Sequence, residues 1–234
     1  MLQDIKDLYG NKVSALDGTI GQVKDFYFDR STWAIRYLVV DTGAWLAGRL
    51  VLLAPHAFGR LDRYERTLHV KLSSQQIENS PKLEAQQPVS REHEIACHHH
   101  YGWPAYWNAD TRWGLTDFPG LRGRSTAKTE VQPPPRAYPP LESTQSLGGY
   151  QIQTEKGTIG TLSGFTVFDR TWIICDLIVK PGEWYAGKDL RVTPDQIRQI
   201  SHENSSVLIN LTKSDMEWTV GKQLTQAWAG RTGA

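Results

Sequence analysis

The sequence predicts an all-β protein made of two small barrels or strongly coiled sheets in tandem, related by a pseudo-twofold axis. Three observations predict it. Residues 8–78 and 147–217 align at one constant offset of 139 without a gap, with 19 identities in 71 positions, where ordinary composition gives about 4. Each copy reads as short apolar stretches separated by glycine turns, the pattern of strands. Neither copy carries a long helical periodicity. A period of 139 is too long for a solenoid or propeller, so it marks a duplicated domain. Each copy is near the lower size limit at which a core supports itself, so pairing between copies, or self-association with a second chain, is expected.

The elements follow in order. Asp17-Gly18 is a turn signal, because glycine allows the backbone that tight turns demand. Gly21 lies in the next strand, where a missing side chain permits a bend or a close backbone approach. Phe26 and Phe28 share one face of that strand and Tyr27 shows the other. Trp33 to Val40 reads as the central strand, alternating and then continuously apolar, and Trp172 to Val179 repeats it. Gly43-Ala44-Trp45-Leu46-Ala47-Gly48 is a loop, answered by Gly182-Glu183-Trp184-Tyr185-Ala186-Gly187. Arg49 to Leu53 and Thr67 to Leu72 are further strands, and Val207 to Leu211 matches the second of them. Ser73 to Glu78 is a short helical turn with serine placed to cap it, mirrored by Thr212 to Glu217. The triplet Phe28-Asp29-Arg30 returns as Phe168-Asp169-Arg170, one residue out of register. That slip belongs in the turn, because moving the strand by one residue would send its buried face to solvent.

The predicted organisation is barrel one over residues 1–80, an aromatic connector over 81–118, a proline-rich linker over 119–146, barrel two over 147–219 and a tail over 220–234. The connector holds Tyr101, Trp103, Tyr106, Trp107, Trp113 and Phe118, dense enough to need burial. The linker, with Pro133-Pro134-Pro135 and Pro139-Pro140 among polar residues, is expected to be extended and mobile.

Composition excludes several classes. With 26 basic and 25 acidic residues, the chain is not expected to hold a nucleic-acid backbone by net charge. Cys97 and Cys175 imply no disulfide framework, which suits a reducing compartment. Met1-Leu2-Gln3-Asp4 does not open a signal peptide, and the greasiest stretch, Ala34 to Ala57, is broken by Arg36, Asp41 and Arg49. The expected location is cytoplasmic.

Gly18-x-Ile20-Gly21-x-Val23-x-Asp25-x-x-Phe28-Asp29, followed by Leu38-Val39-Val40, a glycine-tryptophan loop and a strand reaching Pro55, resembles the PRC-barrel domain. That is the barrel of the photosynthetic reaction-centre H subunit and of the C-terminus of ribosome maturation factors. The likeness covers both copies, and the segment from Ser80-Pro81 to Trp107 resembles the connection in bacterial proteins carrying two such barrels. Copy two departs from the pattern: Gly164 replaces Asp25 and Phe168 stands where Asp29 would be. The resemblance implies an assembly module that docks on protein partners, including a membrane or redox complex, and not an enzyme. Its ribosomal branch implies an RNA-associated assembly factor as a further alternative.

Candidate chemistry is sparse. His56, His69 and His202 are isolated, no Gly-x-Ser-x-Gly elbow is present, and no catalytic residue or cofactor is expected. Asp25, Asp29 and Asp41 read as turn carboxylates. In His93 to His100, the set Cys97, His98 and His100 is an alternative metal site, since imidazole and thiolate are good ligands; a helix or an extended chain would group its members differently. Trp45 and Trp184 in their loops, with Trp103, Tyr106 and Trp107 in the connector, are the candidate interaction residues, each with packing against its own chain as the alternative.

Overall fold

The computed structural model describes residues 1–83, 89–108, 140–182 and 189–210. It is mostly β. The strands are β1 Leu2–Asp4, β2 Lys12–Ala15, β3 Gly18–Asp29, β4 Ala34–Asp41, β5 Leu50–Leu53, β6 Phe58–Asp62, β7 Thr67–Val70, β8 Glu142–Ser143, β9 Gln151–Thr154, β10 Gly157–Phe168, β11 Ile174–Pro181, β12 Leu190–Val192, β13 Ile197–Ser201 and β14 Ser206–Ile209. Two α-helices lie among the described residues, α1 Ser74–Glu78 and α2 Arg91–Tyr101.

The two copies fold into curled sheets of the same strand order. In the first it runs β5-β4-β3-β2-β7-β6, with β8 added on β3; in the second it runs β12-β11-β10-β9-β14-β13. Both share an uncommon detail, a parallel pairing of each copy's first strand with its last, β2 with β7 and β9 with β14. Corresponding register also holds, since Leu38 pairs with Leu53 and Leu177 with Val192.

The chain divides into two compact units. Unit one is Met1–Ser146 with Val167–Ile174, and unit two is Leu147–Thr166 with Cys175–Ala234. The core of unit one is continuous along β3, β4 and β5, where Phe26, Phe28, Tyr37, Leu38, Val40, Val51 and Leu53 are fully buried. Trp172 belongs to this unit and stacks on Phe26 at 5.8 Å and edge-on to Phe58 at 4.6 Å. In unit two, Ile152, Ile159, Phe165, Val179, Val192 and Val207 form the corresponding core.

Gly21 and Gly160 explain the bend of the two long strands. A Cβ on Gly21 would stand 2.1 Å from the Asp41 carbonyl oxygen, and one on Gly160 would stand 2.2 Å from that of Lys180. Only a residue without a side chain lets the strands approach this closely. The slipped triplet is resolved as well. Trp33 N–H donates to Asp29 O at 2.7 Å, and Trp172 N–H donates to Phe168 O at the same distance. The turn therefore keeps the offset of 139. Val167 occupies the buried place of Phe28, while Phe168 is 46 % exposed.

Two expectations are corrected. The linker was expected to be extended and mobile through 146, but Glu142–Ser143 pairs with Tyr27 and Phe28 of β3. Asp25 is the reason. Its carboxylate accepts from Ser143 Oγ, Thr144 Oγ1 (3.0 Å) and Gln145 N–H (3.0 Å), and also from Phe26 N–H (2.7 Å). Asp25 is thus a strand residue that fastens the end of the linker, and not a turn residue. Asp29 and Asp41 do serve turns: Asp29 accepts from Ser31 N–H at 2.8 Å, and Asp41 from Gly43 N–H at 2.9 Å. Residues 119–139, the segment Thr212 to Glu217 and the tail lie outside the described residues.

Candidate functional site: a buried Glu-Tyr-His cluster

Helix α2 starts at Ser90, whose side chain accepts from His93 N–H at 3.2 Å, and stops at Gly102, which takes the left-handed backbone at φ 67°. Serine and glycine are the residues favoured at these two ends. Between them the side chains at 94, 97 and 98 point inward, one helical face. Glu94 and His98 are each 2 % exposed and Cys97 is 1 % exposed, so three ionisable groups lie in the interior.

Tyr37 of β4 is fully buried beneath them. Its hydroxyl lies 3.0 Å from Glu94 Oε2 and 2.9 Å from His98 Nε2. The other imidazole nitrogen, Nδ1, lies 2.9 Å from the Pro104 carbonyl oxygen. The Tyr106 hydroxyl donates to Glu94 Oε2 at 2.5 Å and accepts from Arg91 Nη1 at 2.9 Å. Arg91 also pairs with Glu94 Oε1 at 2.8 Å. Arg36 lies 4.0 Å from the centre of the Tyr106 ring and pairs with Asp29 at 3.1 Å. Rings close the cluster: His98 meets Trp107 at 4.8 Å and Trp103 at 5.9 Å, and Trp103 stacks on Tyr101 at 4.2 Å.

Burial governs the ionisation of the cluster. It raises Glu94 above the ordinary range, against the pull of the Tyr106 and Tyr37 hydroxyls and of Arg91. It lowers His98 to about 4 and raises Cys97 to about 12, leaving imidazole and thiol uncharged at neutral pH. Tyr37 and Tyr106 are raised well above the phenol range by burial, reinforced by Glu94. For Asp29, burial acts upward, but Arg36 and the Ser31 donors prevail and hold it below the usual carboxylate value.

The residues singled out from sequence separate into three groups. Trp103, Tyr106 and Trp107 are 8 %, 9 % and 3 % exposed. They pack on His98 and the two arginines, the arrangement given above as the alternative to an exposed interaction surface. Trp45 is 38 % exposed, on the 3-10 turn Gly43–Leu46. Trp184 lies outside the described residues. The alternative metal set is not assembled. Cys97 and His98 face inward, His100 lies at the surface with Nε2 2.7 Å from Gln76 O, and no three His, Cys, Asp or Glu side chains among the described residues are placed to hold an ion.

Arg36, Tyr37, Arg91 and Glu94 were not singled out from sequence. A usable signal exists in the repeat itself, because Cys175 and Asp176 stand in copy two where Arg36 and Tyr37 stand in copy one. No family model and no curated protein matches the sequence. Among the described residues no helix is long and apolar enough to cross a membrane.

Proposed function

We propose that this protein is a non-catalytic docking scaffold of the bacterial cytoplasm, built from two PRC-type barrels and contacting a protein partner, such as a membrane or redox complex, through its glycine-tryptophan loops. The observation that carries the reading is Trp45, a large ring exposed on a turn that is already ordered. Asp41 accepts from Gly43 N–H, Thr42 Oγ1 donates to Arg49 O at 2.7 Å, and Gly48 N–H donates to Gly43 O at 2.6 Å. An aromatic ring on a preorganised loop contributes to binding without a large ordering cost. The inward-facing ionisable groups support the same reading, since Glu94 and His98 would have to be uncovered before a substrate could reach them. The near-balance of charge disfavours the RNA-associated alternative.

The test is a pull-down from native extract that compares the whole chain with Trp45→Ala and with Trp45→Ala/Trp184→Ala, followed by affinity measurement on the recovered partner. A hot-spot tryptophan is worth about 2 kcal/mol or more, so affinity should fall at least ~30-fold. Equal affinity in the folded double variant would refute the loop assignment.

A further inference from the structure

The geometry around Tyr37 fixes a proton count. Three adjoining contacts stand at hydrogen-bond distance: Glu94 Oε2 to Tyr37 Oη, Tyr37 Oη to His98 Nε2, and His98 Nδ1 to Pro104 O, at 3.0, 2.9 and 2.9 Å. Each needs one proton between its heavy atoms, because two lone pairs facing each other at this distance repel. The Tyr37 hydroxyl supplies one proton and a neutral imidazole supplies a second. The Tyr106 hydroxyl cannot supply the third, since its single proton is engaged with the carboxylate as it accepts from Arg91. The third proton must sit on Glu94 as a carboxylic acid or on His98 as an imidazolium.

We propose that Glu94, Tyr37 and His98 form a proton-binding site, which at neutral pH holds one proton more than the same side chains carry in water and thereby fastens helix α2 to β4. In water at pH 7 a glutamate is ionised and most of a histidine population is neutral. In the protein the chain of bonds runs from Glu94 O–H to Tyr37 Oη, from Tyr37 O–H to His98 Nε2, and from His98 Nδ1–H to Pro104 O. Two hops, one onto Tyr37 and one off it, exchange this state for Glu94 carboxylate with His98 imidazolium. No heavy atom need move and the number of protons is unchanged.

The surrounding charges decide which state is occupied. Arg91 on α2 and Arg36 on β4 favour the carboxylate, although Arg36 is already paired with Asp29 of β3. Against them stand the burial of both titrating groups and the uncharged character of the other neighbours. Those are Tyr106, Cys97 on α2 and the ring of Trp103; His56 also faces the cluster, stacked on Trp103 at 6.4 Å. The depressed basicity of His98 places the proton on Glu94.

Loss of this proton leaves one repulsive contact in the cluster, so α2 loosens on the alkaline side. Counted beyond a carboxylate and a neutral imidazole, the folded state carries one proton in the Glu94–His98 pair. The unfolded state carries one between about pH 4.3 and 6.5 and none above. Stability is therefore level across the lower window. Above about pH 6.5 the folded-to-unfolded ratio falls about tenfold per pH unit, until the cluster itself releases its proton.

The test uses the full chain, with carbon-13 in the glutamate carboxyls and nitrogen-15 in the histidine rings, followed by NMR from pH 5 to 8. Glu94 and His98 should together carry two protons at pH 7, one on the Glu94 carboxyl and one on His98 Nδ1. An imidazolium beside a carboxylate gives the same sum and supports the site. An ionised Glu94 beside a neutral His98 at pH 7 overturns it. Glu94→Gln and Tyr37→Phe supply the second reading. Both should lose the tenfold-per-unit fall seen in the wild type above pH 6.5, whatever their absolute stability, and a Tyr37→Phe protein that keeps it overturns the proposal. If neither variant folds, the proton count on the wild type decides.

Discussion

Alanine at Gly21 and at Gly160 perturbs the same feature in each copy. The added Cβ would stand 2.1 Å from Asp41 O or 2.2 Å from Lys180 O, where carbon and oxygen need about 3 Å or more. The carbonyl must retreat by nearly 1 Å, which stretches an ordinary ladder bond of about 2.9 Å past the limit for a hydrogen bond. Gln22↔Asp41 and Val23↔Val40 flank the contact in copy one, so two ladder positions are disturbed there. At about 1–2 kcal/mol for each, with about 1–3 kcal/mol of overpacking strain, the cost is about 3–7 kcal/mol. Gly21 carries an added penalty, because its φ of 152° is one that side chains rarely adopt. Amide hydrogen exchange reads the two units separately. Core amides of the unit bearing the substitution should exchange about two to five orders of magnitude faster, with Gly21→Ala at least as severe as Gly160→Ala. A change below tenfold in both would refute the close-approach argument.

Other outcomes follow from single residues. Ser205 is exposed and holds φ 46°, so Ser205→Gly should stabilise unit two by up to about 1 kcal/mol in thermal unfolding, as the relief of backbone strain exceeds the entropy cost of glycine. Arg66, its counterpart at φ 48°, should show no such gain, because Arg66→Gly also removes the 3.0 Å bond from Nε to Asn11 Oδ1. Asp29 is depressed in the folded state, so its contribution is present above the unfolded carboxylate pKa of about 3.9 and lost as pH falls through the lower folded value. Asp29→Asn should therefore cost about 2 kcal/mol at pH 7 and progressively less below pH 4 in urea unfolding titrations. Cys97, buried and raised to about 12, should resist alkylation at pH 8, while the half-buried Cys175 is modified first, as peptide mass spectrometry would show.

The duplicated sheets were legible because their causes are local and occur twice. The same offset places Gly21 and Gly160, Trp33 and Trp172, and the two parallel pairings. Ser73 caps α1 as its position implied, with Gln76 completing a capping box. Helix α2 was not legible as a helix, for a physical reason. A periodicity search looks for apolar residues on one face, and the inward face of α2 is Glu94, Cys97 and His98. Glu94 and His98 are tolerated inside only because Tyr37 and Tyr106 come from elsewhere to bond them, with Arg91 of the helix itself pairing with Glu94. Its end signals, Ser90 and Gly102 with no glycine or proline between, were the cue available. Asp25 was misread for a similar reason: its partners Ser143, Thr144 and Gln145 lie over a hundred residues away.

Four differences between the copies fall where the connector attaches or beside it. In unit one Asp25 holds the segment after β8, Tyr37 holds α2, and Arg36, paired with Asp29, lies over the Tyr106 ring; the counterparts of Asp25, Asp29, Arg36 and Tyr37 are Gly164, Phe168, Cys175 and Asp176. The new partners of Asp176 are local to copy two: Thr166 Oγ1 at 2.8 Å and Arg191 at 3.2 Å. The physical constraint runs in one direction. An inward Asp25 or Arg36 without the connector would be an ionised group stripped of water and short of partners, which costs several kcal/mol. Such residues can persist only where the connector supplies the bonds, and the connector helix, with Glu94 and His98 on its inner face, can dock only where they persist. Each half of the interface thus requires the other. A sheet that had neither would be free to keep glycine and phenylalanine at these positions, as copy two does.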